Sequence, residues 1–296
     1  MSSPLVLGTV QLGMAYGINN PNGQPDLSVA KAMVHEAFSQ GIVEFDTAQG
    51  YGQSETVLGL AFSSFKINDK VKVITKLDPI LSEKQPATLI KGIHDSLEKL
   101  GVSSLGVLML HREEQLSIWT AKLYPLLRPL QRVGKIKYFG VSVYTPQAAK
   151  LALETEGIDR VQIPSNILDN RFERAGIFSL ARTYGKELYV RSVYLQGLLL
   201  MEHNKIPVPM QYALPFLTQL KALAEQYNVT IKELCLGYVL AKWPTTKVIV
   251  GAETITQVSE NCRIARKPIA PALVSNADIL FTNVDEHVVN LLLWPR

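Results

Sequence analysis

Val43-Glu44-Phe45-Asp46-Thr47-Ala48-Gln49-Gly50-Tyr51-Gly52-Gln53-Ser54-Glu55 contains the unit from which the rest of the chain is built. Val43 to Asp46 is a short strand candidate that ends in polar residues, and Gly50 and Gly52 allow a sharp turn. From Ser54 to Phe65 the apolar residues recur at helical spacing, so the stretch predicts strand, loop, helix. The pattern repeats outward in both directions. Strand candidates are Leu5 to Gly8, Val43 to Asp46, Val71 to Lys76, Gly106 to His111, Ile136 to Ser142, Arg160 to Ile163, Leu188 to Ser192 and Lys247 to Gly251. Helix candidates are Ser28 to Gln40, Ser54 to Phe65, Pro86 to Leu100, Leu116 to Val133, Pro146 to Glu154, Glu173 to Tyr184, Pro215 to Tyr227 and Thr254 to Arg263, with Thr230 to Ala241 as one more before the last strand. Pro86 and Pro146 stand near first turns, and Gly41, Gly101 and Gly134 just past helix ends. Strict alternation predicts a parallel sheet, and eight units are the number that closes an α/β (β/α)8 TIM barrel. The expectation is a single domain over residues 1–296, with 265–296 as a C-terminal tail packed on it and set off by Pro268 and Pro271. An open doubly wound sheet is the competing topology, but Gly8-Thr9-Val10-Gln11-Leu12-Gly13 lacks the GxGxxG spacing it usually carries.

Composition narrows the function classes. The 296 residues are 47% hydrophobic and 19% charged, as in a globular protein, and 30 Lys and Arg against 26 Asp and Glu leave a net charge of +4. No long single-sign run suggests a nucleic-acid or membrane surface. Met1-Ser2-Ser3-Pro4 lacks the parts of a signal peptide, and apolar runs such as Leu195 to Met201 are too short for a bilayer and are broken by Gln196 and Gly197. Cys235 and Cys262 lie in helix candidates without metal-ligand spacing, so free thiols in the cytoplasm are expected.

In such a barrel the residues at strand C-termini converge on one mouth. There the sequence puts Asp46 with Tyr51 just beyond it, then Lys76, then His111: a carboxylate, a phenol, an amine and an imidazole at three neighbouring strand ends. Each alone reads as an ordinary loop or surface residue. Together they suit proton transfer to a developing alkoxide. An ammonium at Lys76 lowers a phenol pKa from about 10, Asp46 keeps that ammonium charged, and His111 donates to a carbonyl oxygen. A metal at His111 lacks partners at suitable spacing. His35, His94, His203 and His287 fall away from the strand ends, and Trp119, Trp243 and Trp294 read as packing residues.

The run Asp46 to Glu55, with Thr75-Lys76 and Leu110-His111, resembles the signature of the aldo-keto reductase superfamily. The resemblance extends from Gly8-Thr9 to Asn261. It implies a (β/α)8 barrel, a nicotinamide cofactor and a catalytic tetrad at Asp46, Tyr51, Lys76 and His111. It places cofactor contacts at Gly8, Thr9, Ser142, Gln162, Arg191, Ser192, Leu195, Gly197, Gly251, Ala252, Glu253, Gln257 and Asn261. Ser142 and Gln162 match the residues that hold the carboxamide, although Val143 replaces the asparagine that usually follows the serine. Arg191 stands where an aromatic commonly stacks on the nicotinamide, which would disfavour the cationic, oxidised ring; the plainer reading has it turning away to brace the loop on a carboxylate. Thr254 with Gln257 reads equally as a helix cap and as part of a phosphate site. NADP(H) is the implied cofactor and NAD(H) the other, because Gly251 and Gln257 replace the cations many relatives direct at the 2′-phosphate and Glu253 suits a free hydroxyl.

The implied reaction is reduction of a small-molecule aldehyde or ketone to an alcohol. The stretches after Ser142 and at Arg191-Ser192 resemble those of bacterial reductases from sugar and polysaccharide pathways. Two other readings stay open: a cofactor-binding regulatory module like the potassium-channel β subunits of the superfamily, and an aldolase-like barrel using Lys76 as a Schiff base.

Overall fold

The computed structural model describes residues 3–79 and 85–295. Eight parallel strands close into a barrel in sequential order, β1 (Leu5–Gly8), β2 (Glu44–Asp46), β3 (Lys72–Lys76), β4 (Leu105–Leu110), β5 (Ile136–Ser142), β6 (Arg160–Pro164), β7 (Glu187–Arg191) and β8 (Lys247–Gly251), with β8 pairing back onto β1. The (β/α)8 expectation holds and the open sheet does not.

The helices are α1 (Val10–Gly13), α2 (Leu27–Ser39), α3 (Ser54–Phe65), α4 (Pro86–Leu100), α5 (Tyr124–Arg132), α6 (Pro146–Glu154), α7 (Arg171–Arg174), α8 (Ile177–Thr183), α9 (Leu214–Gln226), α10 (Ile231–Lys242), α11 (Ile255–Ala265), α12 (Pro271–Leu280) and α13 (Glu286–Val289). Pro86 and Pro146 start α4 and α6, and Gly101 ends α4 in the left-handed conformation only glycine adopts cheaply. Two expected helices are divided. Leu116 to Val133 becomes a 3-10 segment (Glu113–Ile118), a π turn (Trp119–Leu123) and α5; Pro125, which supplies no N–H to the ladder, stands in the first turn of α5, and Pro129 lies inside it. Glu173 to Tyr184 is cut at Gly176, whose φ of 72° reverses the chain between α7 and α8. The tail is helical where α12 packs on α9 and α10.

Two-residue periodicity sorts each strand into two faces. Val6, Ile74, Val107, Met109, Tyr189 and Ile249 fill the barrel lumen, while neighbours such as Phe45, Val73, Leu108 and Val190 pack outward against the helices. The lower lumen is closed by polar groups: Tyr189 donates to Glu44 at 3.0 Å, Lys247 pairs with Glu44 at 3.0 Å, and Arg160 pairs with Glu187 at 2.8 Å. No helix among the described residues is long and apolar enough to cross a membrane.

Candidate active site

Two residues further along each strand, in the same phase, stand Gly8, Asp46, Lys76, His111, Ser142, Gln162, Arg191 and Gly251. The period that buries the lumen thus turns these groups toward one mouth. A cleft of about 390 Å³ opens there.

Lys76 is the centre of the polar cluster. Only 1% exposed, it donates to both oxygens of Asp46, at 2.8 and 2.7 Å, and to the Thr47 carbonyl at 3.0 Å. Gln162 donates to Asp46 Oδ1 at 2.8 Å and accepts from Ser142 Oγ at 3.3 Å, so a hydrogen-bonded chain runs from β5 to β3 across the lumen. Burial disfavours the ammonium, but Asp46 and then Tyr51 more than offset it, and the Lys76 pKa is raised. An amine held in its charged form by Asp46 is a poor nucleophile, which counts against the Schiff-base reading.

Tyr51 lies over this pair, its ring centroid 4.9 Å from Lys76 Nζ and 5.7 Å from that of His111, the two rings edge to face. The expectation that Lys76 draws the phenol pKa down is reversed in the net. Burial raises it more than Lys76 lowers it, and Asp46 adds to the rise. Tyr51 therefore stays protonated, as a proton donor must. His111 is pushed down to about 4 by burial and by the Lys76 charge, so it is neutral near pH 7, and its Nδ1 has no hydrogen-bond partner among the described residues. The Tyr51 loop is clamped by α1: Gln53 N donates to Gly13 O at 3.2 Å, and a Cβ on Gly13 would come within 1.9 Å of Tyr51 O.

Asp46, Tyr51 and His111 line the cleft, with Lys76 directly behind them. Of the expected cofactor contacts, Gly8, Thr9, Ser142, Gln162, Arg191, Ser192, Gly197, Gly251, Ala252, Glu253, Gln257 and Asn261 line it too. Leu195 does not. It is wholly buried under the loop after β7 and anchors it, because Ser192, Leu195, Gln196 and Gly197 all take positive φ there and fold the chain back on itself. Left-handed non-glycine residues cost about 1–3 kcal/mol each, a strain that concentrates at functional sites. Arg191 is braced, but on no carboxylate: it donates to Ser192 Oγ at 3.1 Å and to the Val143 carbonyl at 3.2 Å and stacks 4.3 Å over the Tyr144 ring.

At the other end of the cleft Thr254 caps α11 by accepting from Gln257 N at 3.2 Å, while Gln257 Oε1 accepts from Glu253 N at 2.7 Å. Asn261 accepts from Tyr194 at 3.0 Å. Lys232, on α10, also reaches this end, paired with Glu260 at 2.6 Å. The sequence reading missed Lys232, Tyr16, Tyr144 and Gln11. Tyr144, two residues past Ser142, could have been found by continuing the strand phase; Tyr16 and Lys232 come from a loop and a helix face that no strand pattern reaches. Among the described residues there is no cluster of three His, Cys, Asp or Glu suited to a metal.

The family model for the Aldo/keto reductase family matches residues 4–280. A pyridoxine 4-dehydrogenase of Escherichia coli is 26% identical over 298 residues, covering 94% of this chain and 98% of its own. Among solved structures, the holo form of an aldo-keto reductase from Bacillus halodurans superposes with a TM-score of 0.78 at 22% identity, covering 97% of this chain and 95% of its own. An aldo/keto reductase from Klebsiella pneumoniae in complex with NADP and acetate does so with a TM-score of 0.73 at 18% identity, covering 95% and 92%. These structural likenesses concern the fold; the family match extends over nearly all of the chain, which therefore belongs to the aldo/keto reductase family of NAD(P)H-dependent oxidoreductases.

Proposed function

We propose that this chain reduces an aldehyde or ketone, with sugar-derived carbonyls as the first class to try, and that Tyr51 gives the proton. The observation that carries this reading is the buried Asp46–Lys76 pair under a protonated Tyr51, beside a neutral His111 in the same cleft. A carbonyl oxygen placed between Tyr51 and His111 receives two hydrogen bonds. As negative charge grows on that oxygen, the Tyr51 proton moves to it and Lys76 stabilises the phenolate left behind. Asp46 and Gln162 hold Lys76 in register.

The residues fit a nicotinamide cofactor. Among the described residues, buried Gln11 Oε1 and His111 Nδ1 lack partners and suit a ligand or water, and Gln257, in the first turn of α11, lines the cleft. Bound there, the cofactor supplies the hydride. Ser142 and Gln162 would hold the carboxamide, Arg191 would flank the ring, and Gly251, Ala252, Glu253, Gln257 and Asn261 would hold the adenosine end. NADP(H) is the cofactor favoured by the family and by the neighbour bound to NADP, with modest discrimination over NAD(H), since Glu253 is an acid at that end and Lys232 is already paired. We read the chain as one barrel with 265–296 packed on it; its two free, buried thiols suit the cytoplasm.

Quenching of intrinsic fluorescence on titration with NADPH and NADH, followed by an aldehyde panel, tests the reading. Tyr51→Phe should keep cofactor binding and lose at least ~100-fold in turnover. A variant retaining a tenth of wild-type turnover, with chemistry rate-limiting, removes Tyr51 as proton donor.

A further inference from the structure

Charges at the two ends of the cleft do not balance alike. At the reaction end Asp46 is matched by Lys76, His111 is neutral, and Tyr51 keeps its proton. Arg191 remains. Among the described residues no carboxylate lies within ion-pair distance of it, although partly buried guanidinium groups are normally paired. Its partners are a hydroxyl, a carbonyl and an aromatic face, all neutral. These fix the side chain and use two of its five N–H groups, leaving donors free in the cleft.

Its direction matters. The guanidinium reaches from the end of β7 past β6 to the β5 loop at Val143, away from β8 and the α11 N-terminus. It is therefore turned from the end suited to cofactor phosphates and toward the carbonyl pocket, where its charge acts on Tyr16, Tyr51 and His111. Asn19 and Gln196 line the same wall, and Tyr16 keeps its proton because burial pushes its pKa up to about 12. A fixed cation ringed by neutral donors is what an oxyanion requires.

We propose that Arg191 binds an oxyanion, carboxylate or phosphate, carried by the carbonyl substrate, with Tyr16 as a second donor. This deepens the reductase reading and rests on it. An anionic group on Arg191 leaves the carbonyl facing Tyr51 and His111, and it offsets the repulsion between the guanidinium and an oxidised nicotinamide.

The test compares matched pairs with NADPH: succinic semialdehyde with butanal for carboxylate, and erythrose 4-phosphate with erythrose for phosphate. Wild type should favour the charged member of at least one pair by tenfold or more in kcat/KM, and the favoured pair identifies the oxyanion. In Arg191→Gln the ratio should fall to near one, mainly through KM, with partial recovery in Arg191→Lys. Succinate titrated into the NADPH complex gives a readout without turnover, and wild type should bind it at least tenfold tighter than Arg191→Gln. If no aldehyde is reduced but succinate binding depends on Arg191, the reductase reading fails and the oxyanion site stands. Equal use of both members of both pairs, or succinate affinity unchanged in Arg191→Gln, overturns the proposal.

Discussion

Breaking the Asp46–Lys76 pair should cost more than removing it. In Asp46→Asn the ammonium, 1% exposed, loses its counter-charge and keeps the Thr47 carbonyl at 3.0 Å as its one fully retained acceptor. In Lys76→Met the carboxylate is left buried with Gln162 as its remaining donor. One-sided removal from a buried pair costs about 3–5 kcal/mol, so the two single changes sum to about 6–10 kcal/mol. The double variant carries no charge: the side-chain amide introduced on β2 still accepts from Gln162, while its own NH2 group and the Thr47 carbonyl are left without a partner from position 76, at about 1–3 kcal/mol each. Strong non-additivity follows, measurable by urea unfolding of the four proteins without cofactor at pH 7. Single variants within about 1 kcal/mol of wild type, or a double variant equal to their sum, would refute the view that the pair is a closed, desolvated unit.

The His111 pKa of about 4 lies below its ordinary 6.5, so the unfolded chain binds the proton first, and wild type should lose about 3 kcal/mol between pH 6.5 and 4 that His111→Asn does not lose. Parallel stability curves for the two proteins would show that the imidazole is not desolvated. Glu253→Gln removes a negative charge from the adenosine end and should tighten NADPH over NADH by about fivefold, roughly 1 kcal/mol; an equal change for both cofactors would place Glu253 away from the 2′ position. Gly13→Ala puts a methyl against Tyr51 O, with 1.9 Å of room, so the Tyr51 loop must shift. We expect turnover to fall more than tenfold while NADPH affinity changes little, and unaltered kinetics would show that α1 does not set the phenol.

Strand order and the convergence of Asp46, Lys76 and His111 on one mouth were legible because both follow from a local rule, a short alternating run with a polar residue in phase at the end. Helix continuity was less so: Pro125 and Gly176 act through individual backbone groups that an apolar period averages over. Leu195 was assigned by its place beside true cleft residues, yet positive φ through the loop turns it inward. The sign of the Tyr51 shift depends on how deeply the phenol is buried, which no spacing reveals. Likewise, Arg191 could be seen at the right strand end, but not its neutral partners.

The phase shared by Ile74 and Lys76, by Met109 and His111, and by Tyr189 and Arg191 constrains how this chain can diverge. One residue inserted within any of these strands would rotate its terminal group from the mouth into the helix layer. Insertions in the loops beyond the strand ends leave that alternation intact. Descendants of this barrel can therefore gain new substrates by changing loop length freely, while the length of each strand stays frozen.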